Sequence, residues 1–365
     1  MPGTTVLLFD RGGRDLISRV RTASAKHVVG KLQGAPGVER IVVATATPEA
    51  WEDCPCVLAQ DPPEGWHFGA RFTALLAAYK PERVLYLASG AGLLFSDADW
   101  HRLLTKELPE PYAVLNNFYS TDLALMAPPW PIPDLSRDNP LGMRLWQAGY
   151  ACYELPRCAA TQLDIDTPGE LQILALHPDL SEEVREALAE VPTERAKALL
   201  EAIVDPEAEV VLIGRVSGHL LRFLDEEAAC RFRVLSEERG MEASGRAERG
   251  AVLSFLGVWA ERVGPRAVVR ALERLGDVVV WDIRVLMGHL GVWPPPEERY
   301  ACDLLQEERV SDPWLRELVQ ACAESSTPFL LGGHSLVSGG MYLAVELAWR
   351  GKDLEQHFRP LPFEG

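Results

Sequence analysis

The stretch Arg83–Trp100, RVLYLASGAGLLFSDADW, constrains the fold more than any other. Arg83–Ala88 is a short apolar run rich in Val, Leu and Tyr, the pattern of a buried strand in a mostly parallel sheet. The run stops at Ser89-Gly90-Ala91-Gly92, four small residues where a backbone can approach a ligand closely. After Leu93–Phe95, Ser96 has the chemistry of a helix N-cap, with Asp97 and Asp99 in a first turn that favours negative charge. A strand, a small-residue turn and a capped helix make up half of an α/β ligand site. The same features also describe a tight strand-to-helix connection that holds nothing.

The segments around it extend the pattern. Thr4–Phe9 is a β-rich apolar run and predicts a first strand. It meets Asp10-Arg11-Gly12-Gly13-Arg14, where backbone N–H groups and two guanidinium forks can hold phosphate, or form a plain turn with solvated charges. Neither a dinucleotide fingerprint nor a P-loop is present. Residues 15–32 have helical spacing and carry Lys26 and Lys31. Strands are expected over 39–45, 56–59, 112–115 and 152–155, with an extended segment over 123–126 and a helix over 68–79. The loop 116–122 brings together Asn116, Asn117 and Asp122. Pro62–Gly65 and Pro128–Pro133 predict loops. Near residue 167, Thr167 caps a helix with Pro168 first and Glu170 third. Helical segments alternating with strands predict an α/β fold with a mostly parallel, Rossmann-like central sheet.

At 365 residues the chain is long enough for two domains. The charged segment 181–202, broken at Pro192, puts the expected boundary near Pro178: residues 1–178 as the α/β domain, 179–365 as a helix-rich α+β domain. A formal charge of −17 argues against nucleic acid or an anionic membrane as partner, while leaving room for a nucleotide in a local basic pocket. Seven scattered cysteines, with Cys54-Pro55-Cys56 the one close pair, fit small idle thiols in a reducing compartment. The N-terminus does not read as a signal peptide, and no apolar run is long enough for a bilayer, so a soluble, cytoplasmic protein is expected. A homodimer is compatible with all of this.

Two motifs carry a resemblance to a known family. Asp164–Leu171, D-I-D-T-P-G-E-L, is similar to the terminal D-x-D-T-P-x-D-L of the molybdenum-cofactor guanylyltransferases and the 2-phospholactate guanylyltransferases. Phe68–Ser96 resembles their helix, strand and G-D-x-P turn. The resemblance covers about the first 175 residues. It implies the nucleotidyltransferase version of the glycosyltransferase-A fold, a nucleotide or phosphorylated small molecule as ligand, and Mg²⁺ as cofactor. Asp164 and Asp166 are then the implied catalytic carboxylates, Asp164 on the metal. Arg11, Gly12, Gly13, Arg14 and Lys26 would meet the nucleotide, with Ser89, Gly90, Asn116, Asn117 and Asp122 around it. The chain departs from the pattern at the turn, where Gly90-Ala91-Gly92 stands in place of the family's metal-binding aspartate.

The second half resembles no family. Val278–Val285, VVVWDIRV, predicts a strand on which Asp282 and Arg284 face the same way, as a site pair or a salt bridge. Residues 250–263 and 266–275 predict two amphipathic helices. Pro328–Met341 enters Gly332-Gly333-His334-Ser335 from a short strand, and Ser338-Gly339-Gly340 precedes a helix to about Trp349. Glycines and serines at a helix start can bind an anion, with His334 as acid-base; they can equally serve close packing. The tail 357–365 is expected to be extended.

Three functional readings follow. The first is a nucleotidyltransferase-like enzyme acting with an NTP and Mg²⁺ on a phosphorylated metabolite. The second is a non-catalytic descendant that binds a nucleotide or sugar-nucleotide as sensor or scaffold. The third puts the chemistry in the second half, around Asp282, Arg284 and His334.

Overall fold

The computed structural model describes residues 3–62 and 65–352. Pro63 and Glu64 of the expected Pro62–Gly65 loop, and the expected tail 357–365, lie outside the described residues. The chain divides into two compact units, one running to Ile165 and including Leu180–Leu188, the other Asp166–Asp179 with everything from Ala189. The division therefore crosses the chain three times, whereas composition pointed to a single boundary near Pro178. The reason is local: the capped helix Pro168–Leu174 joins the second unit, while Glu182–Ala187 packs on the helix Leu16–Leu32 of the first.

The first unit is built on seven strands: β1 Thr4–Asp10, β2 Val38–Thr45, β3 Val57–Gln60, β4 Arg83–Ala88, β5 Tyr112–Leu115, β6 Leu123–Ala127 and β7 Ala151–Glu154. Their order is β3-β2-β1-β4-β6-β5-β7. All neighbours are parallel except β6, which runs against both β4 and β5. β1 is central, and every one of its residues is buried. Successive side chains of a strand point to opposite faces. Val6 and Leu8 accordingly enter a core with Leu32, Trp51 and Trp100, while Leu7 and Phe9 enter another with Phe68, Phe72 and Tyr86. A strand buried on both faces needs an unbroken apolar run, and this is why TTVLLF was legible. Asp15 caps the helix Leu16–Leu32, and Ser96 with Asp99 forms a capping box on Asp97–Thr105.

The second unit, expected as helix-rich α+β, carries four strands among many helices. These are β8 Glu209–Gly214, β9 Arg231–Ser236, β10 Val278–Asp282 and β11 Phe329–Gly332. They pair in the order β11-β10-β8-β9, parallel throughout. The two expected amphipathic helices are Phe255–Val263 and Pro265–Leu272. Their apolar faces pack on Val211, Ile213, Val279 and Trp281 in one core. No helix of the described residues is long and apolar enough to cross a membrane.

Candidate functional site

In parallel sheets the strands end on a common edge, and ligands bind in the crevices there. In the first unit that edge is reached by the residues after β1, β2, β3 and β4. Asp10, the last residue of β1, is buried and fully employed. Its Oδ2 accepts from Thr22 Oγ1 at 2.8 Å and Trp51 Nε1 at 3.1 Å, and its Oδ1 from Gly12 N at 3.3 Å. This fixes a turn in which Gly12 and Gly13 take φ of +67° and +147°. A Cβ on Gly12 would lie 2.0 Å from Thr47 Oγ1, so only glycine fits. Arg11 leaves this turn with its guanidinium 4.8 Å from the Trp66 ring centre.

Arg11, Ala46, Asp61, Pro62, Gly65 and Trp66 line a cavity of about 250 Å³. Arg11, Ala46 and Asp61 each directly follow a strand, β1, β2 and β3 in turn. Asp61 is committed to Arg71 Nε at 2.6 Å. The indole N–H of Trp66 is buried and has no acceptor among the described residues. The cavity thus offers an aromatic ring and a guanidinium.

At the end of the neighbouring strand β4, Ser89 N donates to Phe9 O at 3.1 Å. Gly90 accepts from Ile165 N at 3.3 Å, and Arg21 Nε donates to Ile165 O. A Cβ on Gly90 would stand 2.3 Å from Asp164 Oδ1. Asp164 therefore occupies the volume that a side chain at the turn would need. Nearby, Tyr86 donates its hydroxyl to Asp138 Oδ2 at 2.6 Å. Burial raises the Asp138 carboxyl above its ordinary range, opposed by the Tyr86 bond and the charge of Arg21. Burial also raises the Tyr86 phenol, together with the negative charges of Asp138, Asp122 and Asp164. Three carboxylates thus act on one buried phenol.

The other expected nucleotide contacts have local employment. Lys26 Nζ is paired with Glu183 at 3.1 Å, which turns it to its own helix neighbourhood rather than to the glycine turn. Arg14 is exposed. Asn116 closes the β5–β6 connection, its Oδ1 accepting from Asp122 N at 3.0 Å and Leu123 N at 3.1 Å. Asn117 Oδ1 accepts from Tyr119 N at 3.1 Å, a local turn. Asp122 O accepts from Ala88 N at 2.8 Å and so ties that connection to the end of β4.

In the second unit Asp282 and Arg284 are not one pair on one strand. β10 ends at Asp282 and a helix begins at Arg284, so the period-two argument fails there. Each has another partner. Asp282 takes Arg215 Nε at 2.6 Å and a second Arg215 nitrogen at 3.2 Å. Arg284 binds Asp303 through two nitrogens at 2.9 and 2.6 Å. Burial pushes the Asp303 carboxyl up to about 6, with Arg284 opposing.

Asp166 belongs to this unit, and its N–H donates to Glu170 Oε1 at 2.6 Å. Thr167 gives Glu170 its N–H and its hydroxyl, the expected capping box. Burial raises the Glu170 carboxyl to about 8.

The loop Gly332–Gly340 is not the expected anion cradle. None of its glycines has positive φ. The Gly333 N–H is given to Thr167 Oγ1 at 3.3 Å and the Gly340 N–H to Ser335 O at 2.8 Å. Its glycines serve close approach instead: a Cβ on Gly332 would lie 2.9 Å from Leu336 and one on Gly333 2.9 Å from Thr167. Ser335 is buried, and residues 336–340 run directly into the helix Met341–Trp349. Burial and the charge of Arg215 lower His334 to about 4, with Asp282 and Asp166 opposing.

Sequence reasoning did not single out Trp66, Tyr86 with Asp138, Arg215 or Asp303 as site residues. Arg215 carried a signal, since it follows a strand-ending glycine as Arg11 follows β1; Asp303, inside an ordinary helix, carried none.

No family model matches the chain, and no curated protein matches it. Similar solved structures include a CMP-2-keto-3-deoxy-manno-octonic acid synthetase complexed with CTP, at 13% identity and a TM-score of 0.36, covering 47% of this chain and 96% of that one. A cytidylyltransferase from Leptospira borgpetersenii has 14% identity and a TM-score of 0.37, covering 51% and 92%. A nucleotidyl transferase from Methanothermobacter thermautotroptrophicus has 17% identity and a TM-score of 0.34, covering 44% and 90%. What this chain is similar to, over about half its length, is thus a set of nucleotidyl- and cytidylyltransferases.

Proposed function

We propose that the first unit binds a nucleoside triphosphate at the C-terminal edge of its sheet and transfers the nucleotidyl group to a phosphorylated small metabolite. The observation that carries this reading is the cavity beside the glycine turn, with Trp66 and Arg11 in its wall. At about 250 Å³ it is slightly smaller than common small-molecule sites, which span about 300–1,000 Å³. It suits one part of a nucleotide, with the base against the Trp66 ring. Arg11 and the turn it leaves supply donors for phosphate oxygens.

Magnesium takes one or two carboxylates and completes its shell with water and substrate phosphates. Among the described residues no three potential ligands converge on one point. The donor set fits a Mg²⁺ that arrives with the nucleotide and takes one protein carboxylate, Asp164 beside Gly90. Bound there it would neutralise phosphate charge. The chain's own groups would orient the reactants: Asp10 by locking the Gly12–Gly13 turn, and the Ile165–Gly90 bond by holding Asp164 at the strand end.

The second reading, a nucleotide binder without transfer, is favoured by one observation: Gly90 leaves no room for a second carboxylate at the turn. Calorimetric titration with the four common NTPs, with and without Mg²⁺, separates the readings. Mg²⁺-dependent binding that Asp164→Asn abolishes, with pyrophosphate released when an acceptor is supplied, supports transfer. Metal-independent binding unchanged in Asp164→Asn supports the binder. A folded protein that binds no nucleotide sinks both.

A further inference from the structure

The second sheet has its own switch of strand order. The chain passes from β8 to β9 on one side and places β10 and β11 on the other. The crevice between the ends of β8 and β10 is where parallel sheets receive ligands. Gly214 ends β8 with φ of +126°, and a Cβ there would lie 2.4 Å from that of Asp282. The missing side chain lets Asp282 lie across the strand end. Arg215, the next residue, anchors on Asp282 through its Nε and one terminal nitrogen. Its other terminal nitrogen donates to Glu242 Oε1 at 3.0 Å.

Glu242 differs in kind from Asp282. Asp282 is fully buried, whereas the Glu242 side chain is 49% exposed. It sits on the strap 237–253, whose Gly240, Gly245 and Gly250 all take positive φ. Besides that bond, the strap is held by Met241 and Val252, which bury against Val285. Arg215 thus has a permanent partner and a replaceable one. A guanidinium nitrogen engaged by a detachable carboxylate suits an incoming oxyanion.

His334 follows the end of the third strand of this edge, β11. Neither ring nitrogen makes a hydrogen bond among the described residues. The charges acting on it are Arg215, Asp282, Asp166 and Arg239. Its imidazole is uncharged at neutral pH and offers one donor and one acceptor.

We propose that this crevice is a second ligand site, for a small molecule bearing a phosphate or carboxylate group that replaces Glu242 on Arg215 and meets the imidazole of His334. The site lies wholly within the second unit and does not rest on the nucleotide reading of the first.

The test is a titration of the full chain with inorganic phosphate and, separately, acetate, followed by the histidine ring resonances in ¹H–¹⁵N spectra. The His334 signal is assigned by its loss in His334→Asn. It should shift saturably with at least one probe, and the responding probe separates phosphate from carboxylate ligands. Glu242→Gln removes the internal competitor from an exposed position, so the fold should persist by circular dichroism. That variant should bind severalfold more tightly, because the ligand no longer displaces a charged carboxylate from Arg215. Arg11→Ala, in the other unit, should leave the response unchanged. A His334 signal unmoved by both probes in the wild type and in Glu242→Gln overturns the proposal. So does a response that Glu242→Gln leaves unchanged or weakens.

Discussion

Gly90→Ala probes the geometry on which the first site depends. The added Cβ would meet Asp164 Oδ1 at 2.3 Å, Ile165 N at 2.9 Å and Ile165 O at 3.1 Å. The Ile165 backbone cannot move freely, because its N–H is bonded to Gly90 O and its carbonyl to Arg21. Forcing a methyl into such a contact costs about 1–3 kcal/mol. Weakening the Ile165–Gly90 bond adds roughly 0.5–1.5 kcal/mol. Alanine also restricts the unfolded chain, which returns about 0.4–1 kcal/mol. The net expectation is a loss of about 1–3 kcal/mol, read as a lower urea midpoint at unchanged slope. Gly218→Ala is the control: nothing lies within 4 Å of its Cβ position and it sits in a helix, so stability should rise slightly. A Gly90→Ala midpoint equal to wild type would refute the close approach of Asp164 and Ile165 to the turn. Gly90→Asp should then be worse still, since it sets a second carboxylate against Asp164.

Two further outcomes are expected. Asp303→Ala leaves the buried Arg284 guanidinium without its partner and should cost about 3–5 kcal/mol. The double variant Arg284→Met/Asp303→Leu should recover most of that loss in a double-mutant cycle; a double variant as unstable as the single one would contradict the pairing. His334 is held below its ordinary pKa, at about 4. Between about 4 and 6.5 the unfolded chain therefore binds the extra proton, so this group's contribution is complete above about 6.5 and is lost as pH falls toward 4. His334→Asn should flatten the pH dependence of the urea midpoint in that window; an unchanged slope would argue against a neutral imidazole in the folded protein.

Much of the fold was legible where local pattern and tertiary role coincide. β1, β4 and the Ile41–Thr45 part of β2 are buried on both faces, and their apolar runs could hardly be anything else. The Thr167–Glu170 capping box was readable from spacing alone, because both hydrogen bonds are made within one turn. The end of β10 was not: only Ile283 separates the strand from the following helix, with no glycine or proline to mark the change. Arg284 was therefore put on the wrong element. The Gly332–Gly340 loop failed for another reason. Glycine is selected both by positive φ and by close packing, and composition does not distinguish the two. Trp66 was invisible because its value comes from Arg11 and Asp61, which the sheet brings to it from other strand ends. Asp164 was found through a resemblance, while the glycine it covers was found through the turn; that they touch is a property of the fold alone.

The threefold crossing of the chain between the units bears on the order in which this protein is made. When Ile165 leaves the ribosome the first unit has its whole sheet but lacks Leu180–Leu188, which packs on the helix Leu16–Leu32. Its completion waits for about twenty more residues, at synthesis rates of about 5–20 residues per second. The segment Asp166–Asp179 emerges in that interval before β11, on which its helix packs and which spans Phe329–Gly332. The helix Pro168–Leu174 thus waits for its β11 partner until Gly332 has been made, and it is a natural place for a chaperone to hold the nascent chain.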